Sequence, residues 1–219
     1  MLSLAAGMSA SMRTQVLSLG TGERLEYRVR GFTSARAVVV LSPLAHLPGA
    51  VRGIGLEALY ERALHMEVSI EGRPVEASAD HLALAVRWEL ALPGGVSVQP
   101  HAGWDLTRFP LQENRVLSGI EYSSVAAGAA VSIPLLADRL WLSAAGSVAL
   151  PLGFGEAGRA YGPARRGVGT SVEVALSGAA LESVRWQVRL ARTAFDVTFE
   201  DAESEDATTT LGCDLALGL

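Results

Sequence analysis

Residues 80–106 read DHLALAVRWELALPGGVSVQPHAGWDL, and this stretch decides the fold. Before the turn formed by Pro93–Gly95, every second residue is apolar: Leu82, Leu84, Val86, Trp88, Leu90 and Leu92. After the turn the same alternation gives a second series: Val96, Val98, Pro100, Ala102, Trp104 and Leu106. Because successive side chains of a strand point to opposite faces, the stretch predicts a hairpin of two long amphipathic strands.

The same period of two recurs along the whole chain and predicts about ten strands of about 9 to 13 residues. No segment has helical periodicity, so we expect no helix. The alternation changes parity near residues 123–124, which predicts a β-bulge. The run Val38-Val39-Val40 leaves the facing of its strand open.

The connections between these strands alternate in length. Short ones lie near residues 46–50, 93–95, 136–139 and 177–182, and long polar ones lie near 20–33, 67–80, 107–118, 153–167 and 200–207. An up-and-down meander would place all the short turns and both termini at one end of the molecule. We therefore predict a single all-β domain over residues 1–219, a closed antiparallel up-and-down barrel.

Composition indicates whether the apolar face of each strand points outward or into the barrel. The chain has 219 residues, a mean hydropathy of +0.29 and only 19% charged residues, and all 18 of its basic residues are arginine. The polar parity of the strands is mostly Gly, Ser and Ala, whereas a water-exposed face would be rich in Lys, Glu, Thr and Gln. This pattern favours apolar side chains facing lipid and small polar ones facing a crowded lumen. A soluble lipocalin-like barrel with an apolar interior is the alternative.

With its alternating strands, short turns at one end and final strand running to Leu219, the chain resembles the small bacterial outer-membrane β-barrel proteins. Many members of that family end in an aromatic residue, where this chain has leucine. The resemblance implies an outer-membrane location, short periplasmic turns and long extracellular loops. It also implies contacts with outer-membrane lipid, lipopolysaccharide and the barrel-assembly machinery. A targeting signal is expected to lie outside this chain.

Charged and polar residues on the lumen parity are the candidate functional residues. They are Arg13, Glu57, Glu61, Arg87, Glu89, His101, Asp105, Glu173, Arg185, Arg189 and Asp214. One interpretation is that they form ion pairs that fill the barrel, which suits a structural or surface-interaction protein. The other is that they line a narrow polar pathway for small solutes, or a ligand pocket.

An enzymatic role is the main alternative to these functions. Some ten-stranded outer-membrane proteases and smaller lipid hydrolases use Asp, His or Ser at the extracellular rim. Here His101 and Asp105 share the lumen parity, and Asp80 and His81 lie at the loop end of their strand. The spacing of a paired acidic and His motif is missing, so we predict no catalytic residue.

Cofactors, metals and nucleic acids are not predicted either. The acidic stretch at residues 200–206 lacks the Asp/Asn/Gly spacing of a dedicated Ca²⁺ site, and we expect a solvated loop. The net charge of −5 gives no indication of nucleic-acid binding.

Overall fold

The chain forms a closed antiparallel β-barrel in a computed structural model that describes residues 1–70, 73–111, 119–136, 139–181 and 183–218. Its strands and one short helix, in chain order, are β1 (Leu2–Leu19), β2 (Arg24–Leu41), β3 (Ile54–His65), β4 (Glu67–Ile70), β5 (Arg73–Glu76), β6 (Asp80–Trp88), β7 (Leu90–Ala91), β8 (Ser97–Phe109), β9 (Ile120–Leu136), β10 (Leu140–Gly153), α1 (Gly155–Ala160), β11 (Ala164–Ala179), β12 (Val184–Phe199) and β13 (Ala202–Gly218). Strands β4 and β5 form a separate small hairpin, and β6 and β7 are two segments of one barrel strand.

Ten strands close the barrel because β1 pairs with both β2 and β13, and β6 pairs with β8. The residues that lie opposite one another in the register, followed once around the barrel from Ser3, lead back to β1 at Gln15, twelve residues farther along. For ten strands, a stagger of this size corresponds to a strand tilt of about 40°. The predicted closed up-and-down barrel of about ten strands is confirmed.

An apolar band surrounds the outside of the barrel. Exposed side chains that belong to it include Met8, Met12, Leu84, Val86, Val172, Leu190, Leu211 and Leu215. The band covers about ten residues on each strand, which at roughly 2.5 Å of height per tilted residue gives roughly 25 Å. This is the height of the lipid-facing band of an outer-membrane barrel. The apolar faces therefore point outward, opposite to the arrangement of a soluble lipocalin-like barrel.

Above this band the apolar character moves to the inside. On β1 the outward series passes from Met8 and Met12 to Thr14, while the inward series passes from Ser9 and Ser11 to Leu17. Similar changes on the other strands build a buried core at the end of the barrel remote from the termini: Leu17, Tyr27, Val29, Phe32, Phe109, Ile120, Tyr122, Phe195, Val197 and Phe199. We call the end with the termini the turn end, and the end with this core the loop end.

Several connections differ from the sequence prediction. Residues 24–33 and 202–207, expected in polar loops, belong to β2 and β13. In residues 25–29 inward apolar side chains alternate with outward polar ones, and in residues 202–206 inward Ala202, Ser204 and Asp206 alternate with outward Glu203 and Glu205. Helix α1 forms where no helix was expected, and its Ala157 is buried. In the part of the chain that the structure describes, no helix has the length and apolar character to cross a bilayer.

The predicted bulge near residues 123–124 is found on the neighbouring strand. Ser124 and Ser123 pair with Pro151 and Gly153, so the extra residue is Leu152 of β10, while β9 alternates without interruption. The apparent change of parity in β9 arises because Ile120 and Tyr122 face the apolar core. Val38 and Val40 face the lumen, and Val39 faces outward.

Candidate functional site: the barrel lumen

The lumen is divided into four levels between the turn end and the loop end. A polar vestibule at the turn end has a volume of about 560 Å³. Above it lies a layer of ion pairs, and above that a smaller chamber of about 260 Å³ lined by Ser and Thr hydroxyls. The buried core at the loop end forms a roof over the chamber. The lumen is therefore lined by polar groups at the height of the outer apolar band and by packed apolar side chains at the loop end.

The ion-pair layer joins strands that are not neighbours in the barrel. Asp214 Oδ2 accepts hydrogen bonds from Arg36 Nη1 at 2.9 Å and from Arg189 Nε at 3.3 Å. Arg189 Nη2 also donates to Glu61 Oε2 at 3.2 Å, and the Ser9 hydroxyl donates to the other oxygen of Glu61. These contacts link β12 and β13 to β2 and β3 across one side of the lumen. With two arginines and two carboxylates the layer has no net charge, and it lies between the vestibule and the chamber on this side of the lumen.

Two inward-facing glycines make room for the layer. A Cβ atom at Gly7 would overlap the carboxylate and backbone of Asp214, whose Cα would be 2.8 Å away. A Cβ atom at Gly212 would lie 2.9 Å from Nε and 3.0 Å from Cζ of Arg189. The two charged side chains therefore lie flat against the barrel wall at glycine positions.

The vestibule contains the remaining charged residues of the lower lumen. Arg87 Nη1 donates to Glu57 Oε2 at 3.4 Å, and both side chains are partly exposed to the vestibule. Glu89, His101, Glu173 and Arg185 line the same space. The guanidinium of Arg185 also lies over the ring of Trp141, 4.9 Å from its centroid, near the turn end.

The chamber contains a histidine–carboxylate pair. His81 Nε2 and Asp105 Oδ2 lie 2.5 Å apart, and Thr107 Oγ1 donates to Asp105 Oδ1 at 3.1 Å. The register places His81 opposite Thr107, so that Asp105 is its diagonal neighbour on the inward face of β8. This arrangement fixes the imidazole by one nitrogen and could orient it toward a polar molecule in the chamber.

The roof contains one buried ion pair among aromatic rings. Arg13 donates to Asp206 through Nε at 2.9 Å and through Nη2 at 2.8 Å. The guanidinium lies 3.6 Å from the ring centroid of Phe109, in cation–π geometry. Both phenols beside this pair lie above the apolar band. Burial raises the pKa of Tyr27 to about 12. Burial likewise raises the pKa of Tyr122 well above its usual value.

All the residues predicted on the lumen parity face the interior, but the structure distributes them among different levels. Arg13 belongs to the roof, and Asp105 belongs to the chamber. Glu61, Arg189 and Asp214 form the ion-pair layer, together with Arg36. Lining the vestibule below them are Glu57, Arg87, Glu89, His101, Glu173 and Arg185. His101 lies opposite Arg87 in the register and is separate from Asp105.

Three residues that pair with the predicted lumen residues were not identified from the sequence: Arg36, His81 and Asp206. A signal existed for His81, since counting back from the turn at Pro93–Gly95 places it on the same face as Asp105. Asp206 was assigned to a loop, whereas it lies on β13 and turns inward, away from the exposed Glu203 and Glu205. Within the described ranges, no group of three or more His, Cys, Asp or Glu residues is placed to hold a metal ion.

Comparisons with known proteins bear on the fold. No protein-family model matches the chain, and no curated protein matches it in sequence. Among solved structures it is similar to the outer-membrane protease OmpT of Escherichia coli, with a TM-score of 0.58 and 11% identity over 100% of this chain and 96% of OmpT. An outer-membrane channel from Pseudomonas putida F1 gives a TM-score of 0.47 and 11% identity over 96% and 94% of the two chains.

The translocator domain of the autotransporter NalP from Neisseria meningitidis gives a TM-score of 0.43 and 10% identity, over 95% and 87% of the two chains. At such identities a structural similarity establishes the fold alone. The chain has the closed antiparallel barrel fold of bacterial outer-membrane proteins, as the sequence predicted.

Proposed function

We propose that the chain is an integral outer-membrane barrel without enzymatic activity, whose role is structural or in surface interactions and whose lumen is closed to solute flow. The observation that carries this proposal is the exchange of apolar faces along β1, from Met8 and Met12 outside to Leu17 inside. The outward band suits lipid, and the inward core suits water outside the barrel. One barrel thus has a membrane-spanning part and an extension beyond the membrane.

The closed roof favours the structural role over a narrow channel. Phe32, Phe109 and Phe195 lie above the chamber, with Tyr122 stacked on Phe195 at 4.0 Å. A continuous pathway would require these rings and the Arg13–Asp206 pair to move apart. Such movement would expose the aromatic rings to water, at a cost of about 1.5 to 3 kcal/mol for each ring.

The extension beyond the membrane supports the surface-interaction part of the proposal. Outward positions above the apolar band of β2, β12 and β13 are polar, including Glu26, Arg28, Asp196, Glu203 and Glu205. In this orientation the turn end faces the periplasm, and the polar extension faces the cell exterior. The band would contact outer-membrane lipid and lipopolysaccharide, and insertion would require the barrel-assembly machinery.

Two measurements test this proposal. Purified protein in detergent should migrate differently on gels before and after boiling, as closed membrane barrels do, and it should precipitate when detergent is removed. In planar bilayers it should give no conductance steps. Solubility without detergent would overturn the membrane location, and stable conductance steps would favour the narrow-channel alternative.

A rim hydrolase is a second candidate, because His81 and Asp105 form a close pair beside Thr107. The similar fold of OmpT, an outer-membrane protease, makes this candidate worth testing. Peptide or ester hydrolysis by the wild type that is lost in His81→Ala, with an unchanged gel shift, would replace the non-enzymatic proposal. Equal background rates for both proteins would remove the hydrolase.

A further inference from the structure

The vestibule and the chamber meet at two serines. Ser147 and Ser171 line both spaces. They lie opposite each other in the register of β10 and β11. The residues of the ion-pair layer lie on β2, β3, β12 and β13. In the barrel order, β2 is five strands away from β10, which carries Ser147. The lumen is therefore partitioned by ion pairs on one side and left with small hydroxyl side chains on the other.

The arginines beside the chamber above these serines are already paired. Arg13 is paired with Asp206 and Arg189 with Glu61, while His81 contacts Asp105. An anionic solute entering the chamber would lose its hydration without gaining a free counter-charge, which is strongly unfavourable. Neutral solutes avoid this cost.

Hydroxyl groups on the chamber wall can accept further hydrogen bonds. Ser11 Oγ and Thr210 Oγ1 lie 2.9 Å apart, and Thr193 Oγ1 donates to Ser171 Oγ at 3.3 Å. Each hydroxyl has one donor and two acceptor positions, so these pairs retain capacity for a ligand. A volume of about 260 Å³ exceeds that of several waters but falls below that of most drug-sized sites.

We infer that the vestibule and the chamber form one blind-ended binding pocket for a small neutral polyhydroxylated solute. The pocket is entered from the turn end, through a throat between the serine pair Ser147–Ser171 and the ion-pair layer. The roof closes its far end. This inference shares the closed roof with the proposed function but does not depend on the membrane in which the barrel resides.

Cysteine accessibility tests the throat. In a Cys213→Ser background, Ala126→Cys places a thiol in the chamber, and Ala130→Cys places one in the vestibule on the same strand. Neutral methyl methanethiosulfonate should modify both thiols. Adding Ser171→Leu should slow modification at residue 126 at least about tenfold by narrowing the throat, and leave residue 130 unchanged. The matched control Ser177→Leu, lower in the vestibule, should slow neither.

Charge and ligand class are tested on the same thiols. An anionic methanethiosulfonate should react with the vestibule thiol but far more slowly with the chamber thiol. Saturating xylitol should slow neutral modification at residue 126 by at least about threefold. Rates at residue 126 that ignore both Ser171→Leu and Ser147→Leu, in variants that retain the folded gel shift, would overturn the throat. The absence of xylitol protection would overturn the ligand class. Neither outcome alters the conductance test of the proposed function.

Discussion

Tyr122 and Phe195 stack face to face across the lumen, with ring centroids 4.0 Å apart and planes inclined by 10°. They come from β9 and β12, which are separated in the barrel by β10 and β11. This stack therefore connects two parts of the wall that are not adjacent. It forms the centre of the roof, and its size sets how tightly the loop end is closed.

Truncation of this stack should destabilise the loop end. Phe195→Ala removes a buried ring and leaves a cavity, so we expect a loss of about 3 to 5 kcal/mol in the free energy of unfolding. Urea titration in lipid vesicles, followed by tryptophan fluorescence, measures the loss. Phe195→Leu is the control and should lose less. A change below about 1 kcal/mol for Phe195→Ala would show that the roof is loosely packed.

The buried ion pair Arg13–Asp206 should contribute more to stability than an exposed one. The two side chains are only 1% and 2% exposed, so Asp206→Ala leaves an uncompensated guanidinium in the roof. We expect a loss of about 3 to 5 kcal/mol, measured by the same urea titration. Arg28→Ala breaks the exposed pair with Glu26 and should cost at most about 1 kcal/mol. Equal effects of the two substitutions would contradict the buried location of Asp206.

Glycine at the ion-pair layer should be sensitive to a single added methyl group. Gly7→Ala would force the Asp214 carboxylate away from the wall and weaken its bonds to Arg36 and Arg189. We expect a loss of about 1 to 3 kcal/mol in the free energy of unfolding. Gly146→Ala, whose added methyl would meet its nearest neighbour only at 3.7 Å, should be nearly neutral. Similar urea midpoints for the two variants would rule out the flat packing.

Alkaline pH should reveal the buried phenol of Tyr27. Its pKa is raised from 10.0 to about 12, mainly by burial, so the folded protein retains a proton that the unfolded chain loses. The stability associated with the neutral phenol is complete below pH 10 and falls as pH rises toward 12. Tyr122 also ionises late, so ultraviolet titration of tyrosinate should show a late rise that Tyr27→Phe reduces and does not abolish. A late rise of unchanged amplitude in Tyr27→Phe would contradict the raised pKa of Tyr27.

The lipid-facing band should reject charge. Leu84 is 49% exposed in the isolated barrel and lies within the band, so Leu84→Arg should cost about 2 to 4 kcal/mol in lipid vesicles. Thr198→Arg, on the outward face of β12 above the band, should change stability by less than about 1 kcal/mol. Folding yields in vesicles check both values. Tolerance of Leu84→Arg would contradict the membrane-spanning assignment.

The strands and the outward direction of their apolar faces were predictable because period-two alternation is a local property. Residues 82–92 alone show it. The exchange of faces above Met12 was not predicted, because each strand was expected to keep its apolar side chains on one face along its whole length. Residues 24–29 also alternate, but their apolar side chains, among them Tyr27 and Val29, face inward and their polar ones face outward. Because this polarity is reversed, the segment was predicted as a polar loop.

The pairing of lumen charges was beyond local reasoning. Arg189 and Glu61 belong to β12 and β3, which are not adjacent, and they meet only because of the stagger of the closed barrel. Sequence fixes which residues share a face, but the stagger is a property of the complete ring. His81 and Asp105 are neighbours on one hairpin, and for that pair counting from the turn suffices.

Strand β13 provides carboxylates for three arginines on three other strands: Asp206 for Arg13, and Asp214 for Arg36 and Arg189. Until this final strand docks, Arg13 and Arg36 lack their carboxylate partners and Arg189 has only Glu61. Closure of the ring and completion of these ion pairs are thus reached in the same step. An incomplete barrel leaves guanidinium groups without carboxylates, which is costly away from water, so the last pairing event tests the integrity of the entire assembly.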